Sequence, residues 1–142
     1  MICLGNICRS PLAEVIMRHL VTAEGLNWQV DSAGTGHWHV GKGPAQRSVR
    51  AARNHGIDIS TQVCRLFSIN DFDDFDLILV MDKYNLADIL ALARDQADAK
   101  KVKLLLGDKE VPDPYYDTSL FEPVFKLIEN GCKAVIKQYA KP

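Results

Sequence analysis

Residues 77–81 read Leu-Ile-Leu-Val-Met, five apolar positions with no polar interruption. A strand with one wet face alternates apolar and polar residues. An unbroken apolar run marks a strand covered on both faces. Such a strand needs packing layers above and below its sheet, and the rest of the chain supplies them. Leu12, Val15, Ile16 and Leu20 recur at helical spacing, and further amphipathic stretches alternate with apolar runs along the sequence. Alternating strands and helices predict an α/β three-layer sandwich, with a parallel sheet between two helical layers.

The element boundaries have local causes. Ser10-Pro11 opens a helix, because a proline in the first turn lacks only a donor that would be unused there. Gly25 ends it. Trp28 to Ala33 reads as a strand and Pro44 to Asn54 as a helix, with Gly56 beyond its end. Asn85 is expected to cap a helix running to about Ala93, and Val102 to Leu106 to form another buried strand. Ser119 and Glu122 have the spacing of a capping box for a long C-terminal helix, with Pro123 in its first turn.

The chain has 142 residues, suited to a single domain over 1–142. A chain this long buries about two thirds of its unfolded surface and needs no covalent staple. Its 17 basic and 18 acidic side chains give a net charge of −1, which offers no global field for nucleic acid or a membrane surface. No apolar run approaches the ~18 residues of a membrane span, and no secretion signal is visible. The expected setting is the cytoplasm, where thiols stay reduced, and a monomer is expected. Cys3, Cys8, Cys64 and Cys132 form no C-x-x-C pair, so neither a metal site nor another cofactor is expected.

In parallel sheets, ligands bind at the carboxyl ends of strands. The first such loop is Cys3-Leu4-Gly5-Asn6-Ile7-Cys8-Arg9-Ser10, a C-x5-R-S sequence running into the proline-started helix. A loop curled before a helix N-terminus turns several backbone N–H groups inward and makes an anion site. Gly5 and Asn6 tolerate the backbone conformations this requires. Arg9 offers a planar fork matched to two phosphate oxygens. Cys3 lies at the bottom of the cup, where amides, helix dipole and guanidinium favour a thiolate. Ser10 can donate a hydrogen bond to it. C-x5-R alone would arise by chance; the order strand, C-x5-R-S, helix is what carries weight.

The string CLGNICRSP resembles the signature of the low-molecular-weight protein tyrosine phosphatases. Asp31-Ser32-Ala33-Gly34, Asn54-His55-Gly56-Ile57, Val80-Met81-Asp82 and Asp113-Pro114-Tyr115-Tyr116 follow in that family's order, so the resemblance spans nearly the whole chain. It implies the flavodoxin-like fold with a four-stranded parallel sheet. It also implies hydrolysis of phosphotyrosine through a phosphocysteine, with Cys3 as nucleophile, Arg9 as phosphate clamp and Asp113 as general acid and then base. The chemistry asks for such an acid independently, since a phenolate leaving group gains from protonation. The residue before Pro114 is held extended, which suits a carboxylate presented over the cup.

Trp38, Tyr115 and Tyr116 are expected to wall the cleft and stack on the substrate ring. Deep aromatic walls would admit phosphotyrosine and leave phosphoserine short of Cys3. By the resemblance, Asn6, Ser32 and His55 form a hydrogen-bonded support for the loop. Likewise by resemblance, Cys3 and Cys8 can pair on oxidation and spare the nucleophile from deeper oxidation. Lys42, Arg47, Arg50 and Arg53 read as a basic rim or a solvated helix face.

Three other readings compete. Arsenate reductases with a similar loop use resolving cysteines after a middle strand, where this chain has Asp82-Lys83-Tyr84-Asn85. Protein arginine phosphatases tend to carry Thr at the position of Ile7. A phosphate-binding module without turnover would not need Cys3, Arg9 and Asp113 together. Gly34-x-Gly36 is a poor nucleotide motif, since Gly41 is out of register with it.

Only Met1 and Ile2 precede Cys3, whereas the family has a full first strand. A shortened central strand is therefore expected, with lower stability that added upstream apolar residues would restore.

Overall fold

A computed structural model describes residues 1–140. Four parallel strands lie in the order β2-β1-β3-β4: β1 (Ile2–Cys3), β2 (Ala33–Gly34), β3 (Ile78–Val80) and β4 (Val102–Leu104). The helices are α1 (Arg9–Ala23), α2 (Gln46–Arg53), α3 (Asn70–Asp74), α4 (Lys83–Leu90), α5 (Gln96–Lys100) and α6 (Phe121–Tyr139), with a 3-10 turn at Thr118–Leu120.

The run at 77–81 behaves as its composition requires. Leu79 and Met81 pack with Cys3 against Leu12, Ile16, Phe125 and Ile128 of α1 and α6. Ile78 and Val80 pack with Ile2 and Ala33 against Phe67, Phe72 and Ile89 on the other side. Two-residue periodicity thus divides one apolar segment between two cores. The strand order reverses direction between β1 and β3, and the loop leaving β1 opens at that switch point.

Helix α1 ends as its glycine predicts. Gly25 has φ +68°, Gly25 N–H donates to the Thr22 carbonyl at 3.1 Å and Leu26 N–H to the Val21 carbonyl at 2.9 Å. That is a Schellman closure.

Several boundaries differ from expectation. The strand expected over Trp28 to Ala33 is assigned only at Ala33–Gly34. Its parallel partner, β1, starts at Ile2, opposite Ala33, so residues 28–32 have little backbone beside them to pair with. A groove of about 570 Å3 runs there, bounded by Trp28 and Val30 on one side and Leu77 and Leu79 on the other, with Met1 at its end. Asp82, not Asn85, caps α4: its carboxylate accepts from Asn85 N–H at 2.8 Å, and the Asn85 side chain accepts from Asp82 N–H at 3.2 Å. That helix stops at Leu90. The Ser119–Glu122 capping box does not form. Asp117 caps the 3-10 turn instead, accepting from Ser119 N–H at 3.0 Å, and Leu120 precedes α6 without a side-chain cap. β4 ends at Leu104, and Leu105 turns into the core.

Candidate active site

The loop from Cys3 to Ser10 is a closed, internally bonded cup. Cys3 is buried at its base. Asn6 N–H points at Cys3 Sγ from 3.2 Å, and Ser10 Oγ lies 3.0 Å from the same sulfur. The Asn6 amide nitrogen donates to Ser10 Oγ at 2.8 Å. An amide NH2 can only donate, so the Ser10 hydroxyl hydrogen is free to point at the sulfur. Both groups can therefore donate to the Cys3 sulfur.

Asn6 is the keystone of the cup. It sits at φ +57°, the one non-glycine residue with positive φ among the described residues, in a region where asparagine is tolerated. Its side chain reaches Ser10 and also Ser32 Oγ at 3.0 Å, while Arg65 N–H donates to Asn6 Oδ1 at 3.0 Å. Cys64 Sγ–H donates to the Asn6 carbonyl at 2.9 Å. Ser32 Oγ donates in turn to buried Glu14 at 2.7 Å, and Arg18 donates to the other Glu14 oxygen at 2.7 Å. A chain of hydrogen bonds, with the Asn6 amide donating in both directions, thus links an ion pair on α1 to the thiol.

β2 braces the cup from the side. Thr35 N–H donates to the Cys3 carbonyl at 3.0 Å and Gly36 N–H to the Leu4 carbonyl at 2.8 Å. A Cβ on Gly34 would meet the Leu4 carbonyl oxygen at 2.9 Å. The close approach of two backbones explains the glycine.

Arg9 is 2% exposed, and one end of its guanidinium is held. Its Nη1 donates to Asp82 Oδ2 at 2.8 Å and to the Val111 carbonyl at 2.9 Å. Its Nη2 lies 3.6 Å from Asp113 Oδ2. The Asp113 side chain is 40% exposed, and its other oxygen accepts from Tyr115 N–H at 3.0 Å. The guanidinium and the carboxylate therefore share the mouth of the cup.

A whole-chain match to the family model "Low molecular weight phosphotyrosine protein phosphatase" covers residues 1–142. The chain belongs to the low molecular weight phosphotyrosine protein phosphatase family. It is 39% identical to the low molecular weight protein-tyrosine-phosphatase YfkJ of Bacillus subtilis, over 99% of this chain and 94% of that one. The crystal structure of a protein tyrosine phosphatase from Entamoeba histolytica matches with a TM-score of 0.92 and 30% identity, over 98% of this chain and 94% of that one. A Drosophila arginine phosphatase matches with a TM-score of 0.91 and 34% identity, over 99% of this chain and 96% of that one. The flavodoxin-like fold and membership of a phosphatase family thus rest on sequence and structure together.

Within this phosphatase-family fold, not every expected site residue converges on the cup. Leu4, Gly5, Asn6, Ile7, Cys8 and Ser10 form the loop, and Ser32 joins Asn6 as expected of a support. His55 does not. Its Nε2 lies 2.8 Å from Glu122, and its ring stacks on Phe125 at 3.8 Å. It ties α2 to α6, away from Asn6, and the supporting contacts come from Cys64 and Arg65 instead. Cys8 packs with Ala51 and Phe121, and burial pushes its thiol up to about 12. Trp38 lies against Gly36 and His39 against Gly5. Tyr115 and Tyr116 meet edge to face at 4.9 Å; Tyr116 is 90% exposed and Tyr115 37%.

Glu14, Cys64, Arg65 and Asp82 escape a reading of motifs alone. Two signals existed. Glu14 stands four residues after Ser10, and so on the same face of α1. Asp82 follows a buried strand at its carboxyl end, where sites form.

Proposed function

We propose that this protein hydrolyses phosphotyrosine in proteins or small aryl phosphates through a phosphocysteine intermediate. The observation that carries the reading is the sulfur of Cys3, met by Asn6 N–H and Ser10 Oγ beneath a mouth holding Arg9 and Asp113.

In the first step the Cys3 thiolate attacks phosphorus in line, and the bond to the phenolic oxygen breaks. Protonated Asp113 gives its proton to that oxygen, a contribution of ~10² to 10⁴ in rate. Arg9 and the loop amides bind the equatorial oxygens, where charge is spread in the transition state. In the second step Asp113, now a carboxylate, takes a proton from water as the water attacks phosphorus. Inorganic phosphate leaves and the thiolate is restored. Trp38 and Tyr115 serve as walls for the substrate ring. All these groups come from one chain, which suits a monomer. A free thiol suits the reducing cytoplasm, with reversible Cys3–Cys8 pairing as redox control.

A second reading, hydrolysis of phosphoarginine, is favoured by the likeness to the Drosophila arginine phosphatase. Ile7 in place of Thr weighs against it. Turnover of a phosphotyrosine peptide in thiol and chelator, beside Cys3→Ser, tests the proposal, with phosphoserine, phosphoarginine and arsenate run in parallel. Phosphotyrosine turnover lost in Cys3→Ser supports it; preferred turnover of phosphoarginine replaces it with the second reading. No turnover by folded protein leaves a phosphate-binding module.

A further inference from the structure

The acid loop 113–118 carries Asp113 on an exposed segment with no sheet or helix of its own before the 3-10 turn. Something must fix it relative to the cup, because a general acid works only within hydrogen-bond reach of the oxygen it protonates. Arg47, in the first turn of α2, is placed to do this. Its Nη2 donates to the Tyr115 carbonyl and its Nη1 to Thr118 Oγ1 at 3.2 Å. Its guanidinium lies 5.5 Å from the centre of the Tyr115 ring and 5.4 Å from that of Phe121. Two cation–ring contacts and two hydrogen bonds use the features that distinguish arginine from lysine.

The helix beneath Arg47 is itself bolted to the phosphate loop. Ala45 N–H, just before α2, donates to the Ile7 carbonyl at 2.8 Å, and Ser48 Oγ donates to the Cys8 carbonyl at 3.2 Å. Cys8, Ala51 and Phe121 close the space between them. The path to the acid is therefore short: phosphate loop to α2, Arg47 to the Tyr115 carbonyl, Tyr115 N–H to the Asp113 carboxylate.

We propose that Arg47 is a positioning residue: it fixes the Asp113 loop and the Tyr115 ring to the phosphate loop, setting the aim of the acid. This rests on the phosphatase reading given above. The basic rim expected along α2 is, at this position, an internal brace.

The test separates acid aim from simple destabilisation. kcat/KM is measured for a series of aryl phosphates, from dinitrophenyl phosphate, whose leaving group needs no proton, to phenyl phosphate and a phosphotyrosine peptide. Wild type, Arg47→Met and Arg47→Lys are compared, with thermal melts for each. Arg47→Met keeps the apolar stem. The expected result is a loss of about tenfold or more for phenyl phosphate and the peptide, within the range a general acid commands. Loss for dinitrophenyl phosphate should stay within about twofold, so the leaving-group dependence steepens. Arg47→Lys should recover part of the loss. Equal losses across the series, or no loss, in a folded variant would overturn the inference. Wild type inactive on every aryl phosphate would instead remove the phosphatase reading on which it stands.

Discussion

Arg9 donates to Asp82 at 2.8 Å while the Asp82 carboxylate also caps helix α4. One side chain thus fixes the guanidinium and closes a helix N-terminus. Asp82→Asn keeps a capping group but removes the charge facing Arg9. Hydrogen bonds to charged groups are worth about 1.5–3 kcal/mol. A fall in kcat/KM of about tenfold is expected, dominated by KM, as the clamp loses its orientation. Steady-state kinetics beside a melting curve check it; a fall in melting temperature with unchanged kinetics would assign Asp82 to the cap alone.

Ser32→Ala removes the link between Asn6 and Glu14. Glu14 is 6% exposed and keeps only Arg18 among its hydrogen-bond donors. Leaving a buried acceptor short of a partner costs about 1–3 kcal/mol. The expected variant is less stable by that order, and its Cys3 alkylates more slowly because the Asn6–Ser10 arrangement loosens. Chemical denaturation and iodoacetamide kinetics measure the two effects separately.

Joining four to six apolar residues ahead of Met1 should raise the melting temperature. Extending β1 upstream in its parallel register would set new backbone beside Val30 and Trp28 on one side and Leu77 on the other, inside the groove already described. Burying one apolar side chain contributes about 1.5–3 kcal/mol, and pairing the new backbone on both sides adds ladder hydrogen bonds, so the midpoint should rise despite the entropy of ordering the added residues. A calorimetric scan of the extended and given chains decides the matter, and an unchanged midpoint would mean the groove does not take a strand.

Cys132 is wholly buried in α6, and burial pushes its thiol up from 9.0 to about 12. The folded state therefore holds this proton more tightly than the unfolded one. Its contribution is intact below pH 9 and declines as pH rises toward 12, where the unfolded state ionises first. Relative to Cys132→Ala, wild type should lose roughly 1 kcal/mol between pH 8 and 10. Urea midpoints at the two pH values provide the comparison.

The proposed redox control turns on Cys8. With its thiol pushed up to about 12, it stays protonated near neutrality and attacks slowly. Cys3 oxidised by peroxide to the sulfenic acid should condense with Cys8 over minutes, releasing water and forming the disulfide. Cys8→Ser should then recover less activity than wild type when thiol is added back after a peroxide pulse. Equal recovery would remove Cys8 from the protective role.

Much of this fold is legible along the chain because its causes are local. The run at 77–81 divides between two cores because successive side chains point to opposite faces, a property of five consecutive residues. Gly25 and Pro11 act within a single turn. The cup is legible for the same reason, since Cys3, Gly5, Asn6, Arg9 and Ser10 lie in one octapeptide. What was not legible depends on distant partners. The segment 28–32 has strand composition but little neighbouring backbone to pair with. His55 lies in a family-like string, yet Glu122 and Phe125, 67 and 70 positions away, decide where it points. Asn85 and Ser119 are good capping residues, displaced by Asp82 and Asp117 a few positions earlier.

The Asn6 network has a bearing on the life of the chain before it is finished. The groups that meet at or around the Cys3 sulfur come from residues 6, 10, 14, 32, 64 and 65, and the arginine above it is held by residues 82 and 111. A nascent chain emerging from the ribosome exposes Cys3 long before Asp82 is synthesised. During that interval the cysteine lacks the hydrogen-bonding groups that surround it in the finished fold. The cup is completed only when distant parts of the chain meet, so a misfolded or clipped molecule forfeits the whole arrangement at once.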